Sequence, residues 1–308
     1  MSRPVVSVIM NCLNCAAYLR EAIDSVYAQT YPNWEIIFWD NASTDGSAAI
    51  AGSYDDRLRY FKGDTTVLLG SARNRALAHA KGDVIAFLDC DDIWLREKLE
   101  RQVSVLESRP EVDFVYSNFY QFEQGDGSKR LVLKGPQPEG YVFGPFLYSY
   151  RVGILTAMVR RSCLDRLDTL FDETFNLVEE FDLFMRVLYR SQAAYVSDPL
   201  ASSRVHASNT STVQRDRWVE EHHRAVAKLR RFDADGRFAR AFDDISIRLE
   251  LMAAAIHLSQ GRSDSARKHI APHKWHSFKS FALFLITFMP PRLWLALRPL
   301  WRRGVLYR

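Results

Sequence analysis

Three carboxylates crowd the four residues Asp89-Cys90-Asp91-Asp92, directly behind the apolar run Val84-Ile85-Ala86-Phe87-Leu88. Carboxylates this close repel one another. A hard divalent cation relieves the repulsion, and such a cation commonly brings a phosphate with it. The apolar run reads as a buried strand, so the acids fall at its carboxyl end, where open α/β sheets hold their ligands. The competing reading is an acidic helix start, with Asp92 capping the helix that follows. Further on, Glu179-Glu180-Phe181-Asp182 opens a stretch that is apolar-periodic afterwards, which predicts a helix N-terminus loaded with acid.

The elements that must position these residues are legible in the same way. Val5 to Met10 is continuous and β-branched, a buried strand, followed by a loop from Asn11 to Ala16 and a helical period over Tyr18 to Ala28. A second strand, Glu35 to Trp39, runs into Asp40-Asn41-Ala42-Ser43-Thr44-Asp45-Gly46-Ser47, which is turn chemistry before a helix start. Short strands are expected over 57–62 and 84–88, with a helix over 72–80 that Gly82 breaks. Strands alternating with helices imply βαβ units and a mostly parallel sheet. The same reading continues with a helix over 97–107, strands over 112–116, 155–159, 194–197 and 201–206, and short helices over 143–150 and 162–167. From Asp216 the chain turns to Arg-rich amphipathic helices, which sets a domain boundary near residue 212: an α/β domain over 1–212 and a helical region over 213–308.

With 308 residues, 47% of them hydrophobic, the chain can bury a core of that size. Its formal charge of +4 is only mildly basic, but from Lys279 to Arg308 it carries six basic residues and no acid, which points to an anionic surface rather than sequence-specific nucleic-acid binding. Together with Trp294 and Trp301, and with Pro290-Pro291 interrupting the apolar stretch, this suggests an in-plane amphipathic contact with a membrane through 278–308, against the alternative of a helix closing the second core. Four scattered cysteines make no disulfide framework, although Cys12 and Cys15 stand in redox spacing. No signal pattern precedes the first strand, so a cytoplasmic protein, peripheral at the inner membrane face, is expected.

Several ordered blocks now carry a resemblance: Val6-Ser7-Val8-Ile9-Met10 with Asn14, Tyr18-Leu19, Gln29-Thr30-Tyr31, Glu35-Ile36-Ile37 to Asp40, Ser43-Thr44-Asp45-Gly46-Ser47, Arg73-Asn74, Phe87 to Asp92, and Glu179-Glu180 to Arg186. Over about the first 210 residues the chain resembles family 2 glycosyltransferases. The resemblance implies a GT-A fold, that is, a mixed, mostly parallel α/β sheet; the C-terminal helical extension lies outside it. It also implies a nucleotide-sugar donor, most simply a UDP-sugar, a Mn²⁺ or Mg²⁺ ion, inversion at the anomeric carbon, and a glycan or lipid-linked acceptor.

By position, Asp91 would hold the metal, and Asp89 its hydration shell or the donor ribose. Asn11, Asn14, Asp40 and Asn41 would line the nucleotide, with Arg73 near the base or diphosphate. Glu180 stands where the family has its catalytic base, with Glu179 and Asp182 as further acceptor-side candidates. His206 could ligate the metal or diphosphate, or be a hydrogen-bonded structural histidine. The aromatic cluster Tyr141, Phe143, Phe146, Tyr148 and Tyr150 could stack on an acceptor sugar or belong to the core. Leu13 replaces a frequent tyrosine, Asn41 a usual aspartate, and Glu180 the usual aspartate of a Glu-Asp pair. A donor-binding domain without transfer and a nucleotidyltransferase are the alternatives. The latter would want a Gly-rich basic loop, and Asn11 to Ala17 contains no Gly, Lys or Arg.

Overall fold

The computed structural model describes residues 3–123, 128–206 and 214–289. The chain divides into two compact units, residues 1–209 and 210–308. In the first, β1 (Val6–Cys12), α1 (Ala16–Tyr27), β2 (Trp34–Asp40), α2 (Ser47–Ala51), β3 (Leu58–Lys62), α3 (Leu69–Leu77) and β4 (Val84–Phe87) alternate as the periodicity predicts. They are followed by β5 (Ile93–Trp94), α4 (Lys98–Ser108), β6 (Val112–Glu123), β7 (Lys129–Leu131), α5 (Phe143–Tyr148), a 3-10 turn at Ile154–Thr156, β8 (Met158–Arg160), α6 (Arg161–Leu164), α7 (Glu179–Leu188) and β9 (Gln192–Val205).

The nine strands form one mixed sheet in the order β3-β2-β1-β4-β8-β6-β9-β5, with β7 on β6. The first four run parallel; β8 and β5 run against their neighbours, and β6 and β9 are parallel to each other. Parallel strands covered on both faces need apolar residues at every position. Accordingly Val6, Val8, Ile9, Met10, Ile36, Ile37 and Phe38 are all buried. With β2 on one side of β1 and β4 on the other, the loops after these three strands emerge together at the carboxyl edge. Cys12 pairs with Asp40, and the Leu88 N–H donates to the Ile9 carbonyl at 3.0 Å. That edge is the crevice where α/β sheets bind ligands.

Gly82 explains how β4 comes so close to β1. A Cβ there would lie 2.5 Å from the Val5 carbonyl oxygen and 2.7 Å from the Ser7 nitrogen, so only hydrogen fits.

Three local expectations change. The strands expected over 194–197 and 201–206 are one strand, β9. It keeps Pro199 inside a sheet because the β6 ladder shifts register on both sides of Asn118, the Pro199 partner, so the missing N–H falls at the irregularity. The strand expected to stop at Tyr116 continues as β6 to Glu123 for the same reason: its partner is long. And Asp92 caps no helix, since α4 starts only at Lys98. Asp92 is instead buried, accepting the Arg204 N–H at 2.9 Å.

In the second unit, α8 (Arg215–Arg230), α9 (Ala239–Ser259), α10 (Ser263–Ile270) and α11 (Phe278–Ile286) are helical. Ala254, Leu258, Ala266, Ile270 and Leu283 make a small core from α9, α10 and α11. Among the described residues no helix is long and apolar enough to cross a membrane. The boundary expected near residue 212, and the tail residues Trp294 and Trp301 with their arginines, lie outside the described residues.

Candidate active site

Three loops build the site. The loop after β1 turns through Asn14 in the left-handed region, φ 56°, which asparagine tolerates better than most residues. Its N–H donates to Ser43 Oγ at 3.0 Å, and its Oδ1 accepts from the Thr44 N–H at 2.8 Å. Asp45 accepts from the first N–H of α1, at Ala16, and from the Ser47 N–H. Asp40 is wholly buried: it accepts the Ser43 N–H and the Tyr60 hydroxyl, each at 2.6 Å. The Asn41 amide closes both ways on the Val67 backbone, donating at 2.8 Å and accepting at 3.1 Å. These residues therefore hold the walls of the crevice in place. Asn11 differs: its Nδ2 is a buried donor without a partner among the described residues. Leu13, where the family often has tyrosine, is an exposed apolar side chain beside it in the chain.

The third loop carries the acids. Asp91 Oδ2 lies 3.0 Å from His206 Nε2, and the His206 ring rests against Tyr18 with centroids 5.1 Å apart. Burial first, then the charge of Asp89, raises the Asp91 carboxyl above its ordinary value, with His206 opposing. A divalent cation would remove that penalty. Among the described residues no three His, Cys, Asp or Glu side chains converge on one point. An ion of the Mg²⁺ or Mn²⁺ kind needs only one or two protein ligands and completes its shell with substrate phosphate and water. Asp91 with His206 could supply the protein's share.

Arg204 braces this end. Its guanidinium sits between the rings of Tyr18 and Phe122, at 4.8 and 4.7 Å, donates to the Asp91 carbonyl at 3.0 Å and pairs with Glu21. Cation–π contacts with two rings help to hold the planar group in place. The sequence reading missed Arg204. Its only signal was its place two residues before His206.

Arg73 joins the two acidic motifs. Carried on α3 and 3% exposed, it donates to Asp89 Oδ1 at 2.8 Å and pairs with Glu179, which is 2% exposed. One buried guanidinium so ties residues far apart in the chain. Asp182 is not brought to the open side: it is fully buried and gripped by Arg186, which also donates to the Thr169 and Leu170 carbonyls and anchors the chain before α7.

Glu180 alone of the late motif stays half-buried. No other described residue donates to its carboxylate. Burial, then the charge of Glu179, pushes it up to about 8, with Arg73 opposing. Of the aromatic cluster, Phe143 and Phe146 are core, while Tyr141 and Tyr148 are exposed. Tyr150 sits edge-on to Phe181, centroids 5.1 Å apart, and its buried hydroxyl has no partner among the described residues. Burial, then the charges of Glu180 and Glu179, raises that phenol well above its usual range, which sets it beside the late motif.

Comparison with known proteins places the chain in a family. Residues 7–167 match the family model described as glycosyl transferase family 2. An uncharacterised glycosyltransferase of Rickettsia typhi is 32% identical over 213 residues, 68% of this chain and 66% of that protein. The UDP-Glc:alpha-D-GlcNAc-diphosphoundecaprenol beta-1,3-glucosyltransferase WfgD of Escherichia coli is 29% identical over 208 residues, 67% of this chain and 79% of that one. The chain thus spans about two thirds or more of these two relatives' lengths. Among solved structures, residues 1–349 of S. aureus TarS in complex with UDP-GlcNAc superpose with a TM-score of 0.71 at 18% identity, covering 99% of this chain and 93% of that one. The mannosyltransferase of Pyrobaculum calidifontis in complex with GDP-Man and Mn²⁺ gives 0.60 at 22% identity, covering 97% and 85%. At such identities the structures speak for the fold alone, a GT-A sheet. The family match spans more than half of the chain, and the chain belongs to glycosyl transferase family 2.

Proposed function

We propose that this glycosyltransferase moves a sugar from a UDP-sugar, with Mn²⁺ or Mg²⁺, onto a hydroxyl of a lipid-linked glycan at the inner face of the cell membrane, inverting the anomeric centre. The observation that supports it most is the Arg73 bridge: Asp89 of the metal motif and Glu179 of the late motif share one buried guanidinium, leaving Glu180 beside them with a carboxylate to which no described residue donates. A bound divalent ion would neutralise charge developing on the departing diphosphate. Asp91 and His206 would hold that ion. Asn11, with its buried idle N–H donor, would read the nucleotide. Glu180 would take the proton of the acceptor hydroxyl. A carboxylate raised toward 8 is matched to that task, since a base works best when its pKa is near the operating pH. One displacement with one base turns an α-linked donor into a β-linked product. Uridine and a polyprenol-linked acceptor are favoured because the name of the Escherichia coli relative specifies both for that protein.

The test is thermal shift against a panel of nucleoside diphosphates, with and without Mn²⁺. A ligand at about 100 times its Kd adds roughly 2.7 kcal/mol to stability, several degrees in a domain of this size. A shift with UDP that requires Mn²⁺ and disappears in Asp91→Ala is expected. Metal-independent shifts, or none with any nucleotide, would overturn the metal assignment.

A further inference from the structure

Helix α11 buries one apolar stripe and leaves a second in the open. Ser280 and Leu283 are at most 1% exposed, and Phe284 and Ile286 pack against the same core, whereas Phe278, Leu285 and, just past the helix, Phe288 are 85%, 51% and 59% exposed. Ser277 caps the helix by accepting the Ser280 N–H, so the orientation is anchored by polar contacts and the aromatic face points out. Trp275, 76% exposed, extends the same apolar surface and stacks on Phe281 with centroids 5.1 Å apart. A scattered exposed phenylalanine needs no account, but several together with a tryptophan mark a surface meant to be covered.

The charges around that face point to what covers it. Lys274 lies over the Trp275 and Phe284 rings at 5.6 and 5.2 Å, and the Arg267 guanidinium over Phe288 at 4.0 Å. Asp264 is the last acidic residue of the chain. After it come Arg267, Lys268, Lys274, Lys279, Arg292, Arg298, Arg302, Arg303 and Arg308, nine cations without an anion. Two copies of such a face would repel each other. An anionic bilayer complements it: aromatic rings enter the headgroup–acyl boundary while lysines and arginines stay at the phosphates.

We infer that Trp275, Phe278, Leu285 and Phe288 form a monotopic docking face for anionic phospholipid, held against the membrane by Arg267, Lys274 and Lys279. The inference deepens the reading above, since it names the surface that would bring the enzyme to a lipid-linked acceptor. The face is the described part of the 278–308 stretch, begun three residues earlier by Trp275.

The experiment is co-sedimentation of the full chain with vesicles of phosphatidylcholine alone and of phosphatidylcholine with phosphatidylglycerol. The wild type should partition to the anionic vesicles only, and lose them as salt is raised. The double variant Trp275→Ser/Phe278→Ser should partition at least about tenfold less, with unchanged melting temperature and unchanged nucleoside-diphosphate binding in solution. Equal binding by wild type and double variant would overturn the aromatic face. So would no vesicle binding at all together with a dimer that the double variant splits, which would give the face to a second copy. The readout is lipid partition, so its failure leaves the donor-site reading intact, and a failed nucleotide screen leaves this one intact.

Discussion

Changing Glu179 to Gln should move the titration of the base to lower pH. In the wild-type chain burial and then the charge of Glu179 push Glu180 up to about 8, against the pull of Arg73. A carboxylate with that pKa is ionised in only about one molecule in ten at neutral pH, so kcat/KM should climb about tenfold over the next two pH units and then level. Removing a unit charge a few ångströms away, at an effective dielectric near ~20, is worth about 2 kcal/mol, or ~1.5 pKa units. Arg73, no longer paired with a charged Glu179, then acts more fully on Glu180, so both effects have the same sign. The midpoint is therefore expected near about 6.5. The assay is kcat/KM against pH, with the UDP-sugar that the nucleotide screen selects. A midpoint that stays put, or rises, would refute the reasoning, because it would show that the Glu179 charge does not reach the base. Glu180→Gln is the companion control: it should lose about 10²–10⁴ in turnover and flatten the profile while keeping Mn²⁺-dependent nucleotide binding.

Two substitutions separate position from chemistry. Burial, then the charges of Asp91 and Asp89, raises Asp92 well above the ordinary carboxylate range, so its neutral form is favoured. Asp92→Asn keeps the oxygen that accepts from Arg204 and should cost under about 1 kcal/mol by chemical denaturation, whereas Asp91→Asn should abolish the Mn²⁺-dependent shift; equal effects from both would sink the distinction. Gly82→Ala would drive a methyl against the Val5 carbonyl oxygen and the Ser7 nitrogen, both backbone atoms that cannot swing away. It should cost on the order of 1–3 kcal/mol and lower Tm by several degrees, and an unchanged Tm would show that the strands part freely.

Much of the framework was readable from one dimension. Val5 to Met10 and Val84 to Leu88 declare buried strands because parallel strands between helices must be apolar on both faces. Asp89-Cys90-Asp91-Asp92 makes an ion site the expectation, because close carboxylates need a counter-charge. These are local properties, and local composition carries them. Long-range pairing is a different matter. Nothing beside Pro199 says that β9 continues through it; the partner strand decides that by shifting register around Asn118. Asp92 looks like a cap until the late start of α4 and the N–H of Arg204 bury it. Asp182 and Glu180, two residues apart on α7, look alike as acids. Only packing sends the first into the core against Arg186 and leaves the second half-open beside Arg73. The sequence by itself determined the strand–helix order, the acid motifs and the family. The tertiary structure decided which acid is paired, which is buried and which stays half-open beside Arg73, because burial and charge neighbours are properties of space and not of spacing.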